Sequence, residues 1–484
     1  MTRTTIALIA LAACSAALLF MATWGGRRTH NVGDFFLASR RMGLWLAVLS
    51  HTANASPLWL LFVLAGAAFA WGLAAIWMWL AVMLGYAINL FWIAPRLRQL
   101  SVRQHSLTLI QALSMDAGDR LQPLIVRSAA LIVSIALLLE ISAVLSVATS
   151  VFVTDFGFDA TTAAIPAMAV IVAFVLAGGF WAASLADAAA LSAVLLIVLI
   201  APLMALAFYD GADQLRAGFA ALGPQASDWF GGRSGIVAVA FVAGVSAFGF
   251  DLFGQPHAAS RLMAVRDEAA LARLRWLTLP LIGLLLALVL LSGWSASLLY
   301  GGLQQPELAL ISMIGRMLPP IVSAVLICVL LAALLTSIGN RLLVLAACLS
   351  TDVRRSISML AFAWARVVLV VYAIAALCLS PYMGSGGLDN ALFAFTALGA
   401  SFGPLLIVRI SGKRVRPGST LGALWAGFLL TVLFHVLPDS PGDFLERVMP
   451  FVAALGIALS GGERRRNPDR ADRAEQTVHD RVPI

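Results

Sequence analysis

One property limits what this chain can become: apolar runs of about twenty residues follow one another from end to end, each long enough to cross a bilayer as a helix. A backbone in hydrocarbon has to satisfy its own hydrogen bonds, and for runs of this length the helix is the way to do so. The runs fall near residues 5–24, 43–71, 73–94, 127–153, 160–177, 183–208, 234–257, 277–300, 319–349, 359–381, 389–410, 419–438 and 446–460. With only 12% charged residues and a mean hydropathy of +0.95, nothing is left over for a soluble domain of any size. The expected fold class is an all-α polytopic membrane protein with about 13 transmembrane helices. Residues 1–462 form its membrane domain, and 463–484 read as a disordered, charged cytoplasmic tail.

The net charge of +8 sits mostly in the connections, so it speaks of orientation in a membrane and not of nucleic acid. One set of connections carries Arg27, Arg28, Arg40 and Arg41, then Arg96, Arg98, Arg103 and Arg120, then Arg261, Arg266, Arg273 and Arg275. The same set continues with Arg354, Arg355, Lys413, Arg414, Arg416, Arg464, Arg465 and Arg466. The other set carries little beyond Arg3, Arg216, Arg233 and Arg316. The positive-inside rule makes the rich set cytoplasmic, with the N-terminus out and the C-terminus in. A wrong span count would scramble this sorting. Cys14, Cys328, Cys348 and Cys378 lie in apolar runs without metal-ligand spacing and read as small buried hydrophobes. Leu11–Cys14 resembles a lipoprotein cleavage site, but the apolar run continues through it to Phe20, as a spanning helix would.

Two of the spans are interrupted. In Ser50–Trp59 (SHTANASPLW) the middle of an apolar run is polar and contains Pro57, whose missing N–H leaves the Ala53 carbonyl without its donor. In Ala247–His257 (AFGFDLFGQPH), Gly249, Gly254, Asp251 and Pro256 break another, and Pro256 does the same to the Leu252 carbonyl. Carbonyls left open at mid-bilayer belong next to a cavity or an ion; the alternative is a kink repaired by Ser, Thr or Asn side chains. The interrupted spans are the second and the seventh. A separation of five is what an inverted repeat of five plus five helices requires, with core repeats of about 43–208 and 234–410 and a binding site between the breaks.

Acids inside spans are functional candidates by default. Glu140 lies deep in the fourth span and Asp251 in the second break. For Glu140 the alternative is an internal ion pair with a basic residue or a neutral, hydrogen-bonded carboxyl. Arg341 is a cation nearer the cytoplasmic end of the ninth span. Asp187 reads either as a helix N-cap or as a residue near a cation. His51 and His257 flank the breaks and read as structural hydrogen-bonding groups.

Four stretches together resemble the sodium/solute symporter family, and within it the sodium/proline symporter branch. They are Asp34–Trp45 (DFFLASRRMGLW), Gly178–Asp187 (GGFWAASLAD), Phe253–Ala264 (FGQPHAASRLMA) and Leu331–Asp352 (LAALLTSIGNRLLVLAACLSTD). The resemblance covers nearly the whole chain in order and spacing. It implies the leucine-transporter type of fold, with one helix before the ten-helix core and two after it. It implies a sodium site built from backbone oxygens at Ala53, Ser56 and Ala333 and from the hydroxyls of Thr336 and Ser337. The spacing agrees: positions 333, 336 and 337 share one helix face, and hydroxyl and carbonyl oxygens suit a small hard cation. The alternative is that both hydroxyls bond back to their own helix. The candidate solute-binding set is Asn54, Trp59, Glu140, Phe248, Asp251, Leu252 and Pro256, with Asp187 as a candidate second cation or gating residue.

The chain also departs from that branch. Ala55 stands where the branch has an aspartate, Glu140 and Leu252 where it has tyrosines, Phe248 where it has a tryptophan, and Pro57 where it has a serine. Trp59, Gln255 and Pro256 are kept. The expected function is sodium-coupled symport of a small organic solute, an amino acid such as proline by family default, in the bacterial inner membrane. Sodium is then the coupling ion, the bilayer and the solute are the partners, and no cofactor or nucleic acid is implied. Two alternatives stay open: proton coupling through Glu140 or Asp251, and a transporter-like membrane sensor. No phosphate loop, metal-spaced cluster or nucleophile with a neighbouring base points to an enzyme.

Overall fold

The structure is a computed structural model, and it describes residues 3–55, 58–114, 120–208, 213, 222–300, 302–303, 305–353, 359–384, 387–438 and 440–464. Helix α1 (Arg3–Gly26) leads through the short α2 (Val32–Leu37) to α3 (Leu44–Ala55) and α4 (Leu58–Trp71), the two halves of the second span. The third span is α5 (Ile76–Ile88), a π-helical turn and α6 (Ala94–Arg103); the short α7 (Leu109–Ser114) connects it to α8 (Gln122–Phe156). Helix α9 (Ala160–Phe208) holds the fifth and sixth spans, and α10 (Gly235–Asp251) with α11 (Pro256–Met263) makes the seventh. Then come α12 (Glu268–Leu299), the short α13 (Ala309–Met317), α14 (Pro320–Ala347), α15 (Met359–Leu379), α16 (Gly387–Ile410), α17 (Pro417–Val436) and α18 (Phe444–Ser460).

Among the described residues, ten helical segments are long and apolar enough to cross a membrane. Two of them hold two expected spans each: Leu60–Arg103 across Gly72, and Ala160–Ala205 across Gly179. The 17-residue α18 supplies one more, which fits the expected total. At Gly179 the backbone takes φ 55 and ψ −147, a conformation side-chain-bearing residues rarely adopt. The chain reverses there. Ala163 before the turn and Met204 after it both lie along the first half of α14, near Ala332 and Leu326. Val175 and Asp187, nearer the turn, both meet Gly339–Asn340.

Small residues let helices meet backbone to backbone, as packing in lipid favours. A Cβ on Gly85 would stand 2.2 Å from the Gly249 carbonyl oxygen, so α5 and α10 are in direct main-chain contact. On the arginine-rich face the connections are clamped. Arg40 donates to Ser101 Oγ (2.7 Å) and to the carbonyls of Ser106 (2.7 Å) and Met263 (3.2 Å). Arg98 donates to the carbonyls of Val265 (3.0 Å) and Arg266 (2.8 Å). Met42 bridges Val265, its N–H bonding the Ala264 carbonyl at 3.3 Å. The entry to the first broken span and the exit from the second are therefore joined.

One feature departs from the all-helical expectation. Strand β1 (Lys413–Val415) pairs antiparallel with β2 (Gly462–Arg464). Glu463 and Arg464, expected to open a disordered tail, are instead held in this ribbon, with Arg416 bonding Glu463 at 2.6 Å. Residues 465–484 lie outside the described part.

Candidate functional site

The second break is made by its own sequence. Helix α10 ends at Asp251, a single 3-10 turn covers Leu252–Gly254, Gln255 is extended (φ −78, ψ 112), and α11 starts on Pro256. Proline pushes the preceding residue out of the helical region and suits the first position of a helix, so the break falls where Pro256 puts it. The Leu252 carbonyl, expected to stay open, does not: in the tighter turn the Gln255 N–H reaches it at 3.3 Å. The Gln255 side chain in turn donates to the carbonyls of Asp251 (2.9 Å) and of Phe395 on α16 (2.8 Å). In the first break, Ser56 and Pro57 lie outside the described residues, as do the side chains of Ala55 and Trp59.

Both broken spans are tied to one carboxylate. Asp187, on the second limb of α9, accepts from Ser50 Oγ (2.8 Å) and Asn54 Nδ2 (2.5 Å) of α3. It also accepts from Arg261 Nη2 of α11 (3.0 Å) and Asn340 Nδ2 of α14 (2.7 Å). Arg261 donates further to Asn340 Oδ1, and its guanidinium lies 4.0 Å over the Phe180 ring. All five polar side chains are buried. The cation that Asp187 meets is thus the chain's own arginine, whose single Nη2 serves both Asp187 and Asn340 while its planar guanidinium lies on the Phe180 ring. The expected residues Asn54 and Asp187 come together here. Ser50, Arg261 and Asn340 were missed, and Arg261 had been counted among the loop arginines. The Ser50/Asn54 spacing of one helical turn was the available signal.

A second buried charge pair joins α8 to α14. Arg341 Nη2 donates to Glu140 Oε1 at 2.6 Å, with both side chains 1% exposed or less, and Arg341 Nη1 donates to the Ser337 carbonyl at 2.8 Å. Of the two readings left open for Glu140, the ion pair is present. One turn back, both hydroxyls bond back to their own helix, the alternative left open for them: Thr336 Oγ1 donates to the Ala333 carbonyl (2.7 Å) and Ser337 Oγ to the Leu334 carbonyl (2.6 Å). A hydroxyl that donates its proton to the backbone keeps its lone pairs for a cation. Ala53 and Ala333 are buried as well.

Two of the remaining expected residues face elsewhere. Asp251 Oδ2 accepts from Thr396 Oγ1 of α16 at 2.9 Å, and Gly399 of the same helix lies against it. Phe248, one turn earlier, has the Arg447 guanidinium 4.0 Å over its ring. Phe248 and Asp251 therefore point to α16 and α18, while Asn54 and Glu140 pack on α9 and α14. Pro256 and His257 line a cavity of about 30 Å³ with Arg261 and Asn340, room for about one water molecule. Leu252 is buried, and His51 is buried with neither ring nitrogen hydrogen-bonded among the described residues, unlike the bonding role expected of it.

The chain matches the model of the sodium:solute symporter family over residues 35–429. It belongs to that family. Similar proteins include the osmoregulated proline transporter OpuE of Bacillus subtilis, 27% identical over 94% of this chain and 94% of the relative. The high-affinity proline transporter PutP of the same organism is 27% identical over 91% of this chain and 94% of its own length. The sodium/proline symporter of Salmonella typhimurium is 26% identical over 90% and 88%. Among solved structures, a Na+-coupled sialic acid symporter in a substrate-bound outward-open state superposes with a TM-score of 0.79, covering 96% of this chain and 99% of that one at 16% identity. The nucleobase-cation-symport transporter Mhp1 in a closed conformation gives 0.53, covering 89% and 95% at 14% identity. The fold is the leucine-transporter type with its inverted repeat of five plus five helices.

Proposed function

We propose that this family member imports a small zwitterionic solute of the proline type, driven by sodium moving down its gradient. The observation that carries the reading is the tie of both broken spans to Asp187, set beside a family match that spans the core. A substrate site between two broken helices needs those helices to move against their surroundings, and they share one buried anchor. The relatives' names point to proline as the solute to try first. Sodium would take backbone oxygens at Ala53, Ser56 and Ala333 with the hydroxyls of Thr336 and Ser337. Asn54, Trp59, Glu140, Leu252 and Pro256 would border the solute. The arginine-rich face would lie in the cytoplasm of a bacterial inner membrane, N-terminus out and C-terminus in. Uptake of labelled proline into proteoliposomes is expected to rise with an inward sodium gradient and not with an equal potassium gradient. Equal uptake under both would remove the sodium claim, and no uptake of proline or related imino and amino acids would remove the substrate class.

A further inference from the structure

We propose that Asp251 is a proton-binding site, separate from the sodium and solute ligands, whose occupancy is linked to the seating of the second broken span on α16. The carboxyl is 1% exposed at the end of α10. Its Oδ2 accepts from Thr396, while its Oδ1 has no hydrogen-bond partner among the described residues. Gly399 closes over it: a Cβ there would come within 2.6 Å of Oδ1. Helix α16 thus covers the carboxyl with bare backbone and shuts water out.

Gln255, one turn on, is in a matching state. Its Nε2 bonds two carbonyls, which fixes the amide's orientation, because the flipped amide would aim its oxygen at both. Gln255 Oε1 is then a second buried acceptor without a donor. An ionised carboxylate with an unpaired oxygen in such a place is strongly disfavoured. Taking up one proton from the aqueous phase turns the carboxylate into a carboxylic acid and removes the net charge.

The surrounding charges leave this proton to Asp251 alone. From α18 and the turn before it come Arg447, Glu446 and Asp443, the first two within electrostatic reach. Arg447 is committed to Asp443 (2.6 Å) and to the Phe248 ring, and Glu446 to His435 (3.1 Å). Helix α16 carries charge only toward its ends, at Asp389 and Arg409, and meets Asp251 through Thr396 and Gly399. The packed stretch Ile76–Ile93 has Tyr86 as its one titratable side chain. On α11, Arg261 is bonded to Asp187, across the break from Asp251.

Infrared titration of the purified full-length protein reads the carboxylic acid directly, with no need for transport to be working. The wild type is expected to show a buried carboxylic-acid stretching band that disappears as pH rises. That band should be absent from Asp251→Asn and present in Glu140→Gln. Thr396→Val removes the donor that favours the ionised form and is expected to raise the midpoint by about one pH unit, roughly tenfold tighter proton binding. Should Asp251→Asn not fold, Asp251→Glu is expected to move the band's frequency and midpoint instead. Identical titrations in wild type and the Asp251 variants would overturn the proposal, and so would an unmoved midpoint in Thr396→Val. Absence of sodium-driven uptake would leave these readouts intact and count only against the transport reading.

Discussion

Glu140→Gln isolates a guanidinium in the middle of the bundle. Arg341 is 1% exposed, and its charged partner is Glu140 at 2.6 Å. Removing one member of a buried ion pair costs about 3–5 kcal/mol, mostly from the charge left behind. Arg341 also reaches back one turn, its Nη1 donating to the Ser337 carbonyl at 2.8 Å, so the guanidinium sits beside the residue proposed to hold sodium. Two unit positive charges about 6 Å apart repel by about 3 kcal/mol at an effective dielectric constant of about 20, and by more when closer. That is roughly a hundredfold in sodium affinity. The single variant should therefore melt earlier in detergent and bind sodium roughly a hundredfold more weakly. The double variant Glu140→Gln with Arg341→Gln removes both charges and should recover most of each loss, as a double-mutant cycle would report. A single variant as stable as the double would refute the burial argument. A destabilised single variant with unchanged sodium binding would refute the placement of the ion beside Ser337.

The remaining predictions rest on contacts already described. Arg261→Lys keeps the charge but loses the planar guanidinium that lies 4.0 Å over the buried Phe180 ring; a loss of about 2 kcal/mol is expected from this desolvated cation–π contact, read as an earlier melt with reduced uptake. Gly85→Ala places a methyl group 2.2 Å from the Gly249 carbonyl oxygen, and prying α5 from α10 should cost about 1–3 kcal/mol, read as a lower melting temperature. Thr336→Val keeps the shape and removes one hydroxyl; half-saturating sodium should rise roughly tenfold with uptake at saturating sodium retained, the size of one hydrogen-bond-strength ligand.

Much of the architecture was legible because a bilayer imposes lengths and prolines impose breaks. The spans, the basic sorting and the break at Pro256 follow from local sequence, and the Gly178–Gly179 pair marked the reversal inside α9. The partners of the buried charges were not legible. Arg341 and Glu140 are 201 positions apart, and Arg261 and Asp187 are 74. Nothing in a local pattern says that an arginine just after a break folds inward and not into a loop. The direction of Asp251 was hidden for another reason. Helix α10 is apolar on every side, so its sequence does not mark which face meets α16 and which meets α5. The fate of the Leu252 carbonyl turned on a change from α to 3-10 bonding over three residues, a local choice finer than helix patterning resolves.

The placement of the two acids around the broken spans has a mechanical consequence. Asp187 receives donors from α3, α11 and α14 at once, so neither broken span can shift against α9 without giving up a charge-assisted bond in a dry setting. Such a bond is surrendered only when another charge or dipole replaces it. A cation arriving near Ala53 and Ser337 alters the field at the same helix ends that Ser50 and Asn54 occupy, and a solute brings its own ammonium and carboxylate. Asp251 and Gln255 hold the other side of the second break to α16, through neutral donors only. The second broken span is therefore held strongly on the α9 side and weakly on the α16 side. Displacement of α10 from α16 is the less costly motion, while α11 stays anchored at Asp187 and joined to the entry of the first broken span through the Met42–Val265 bridge.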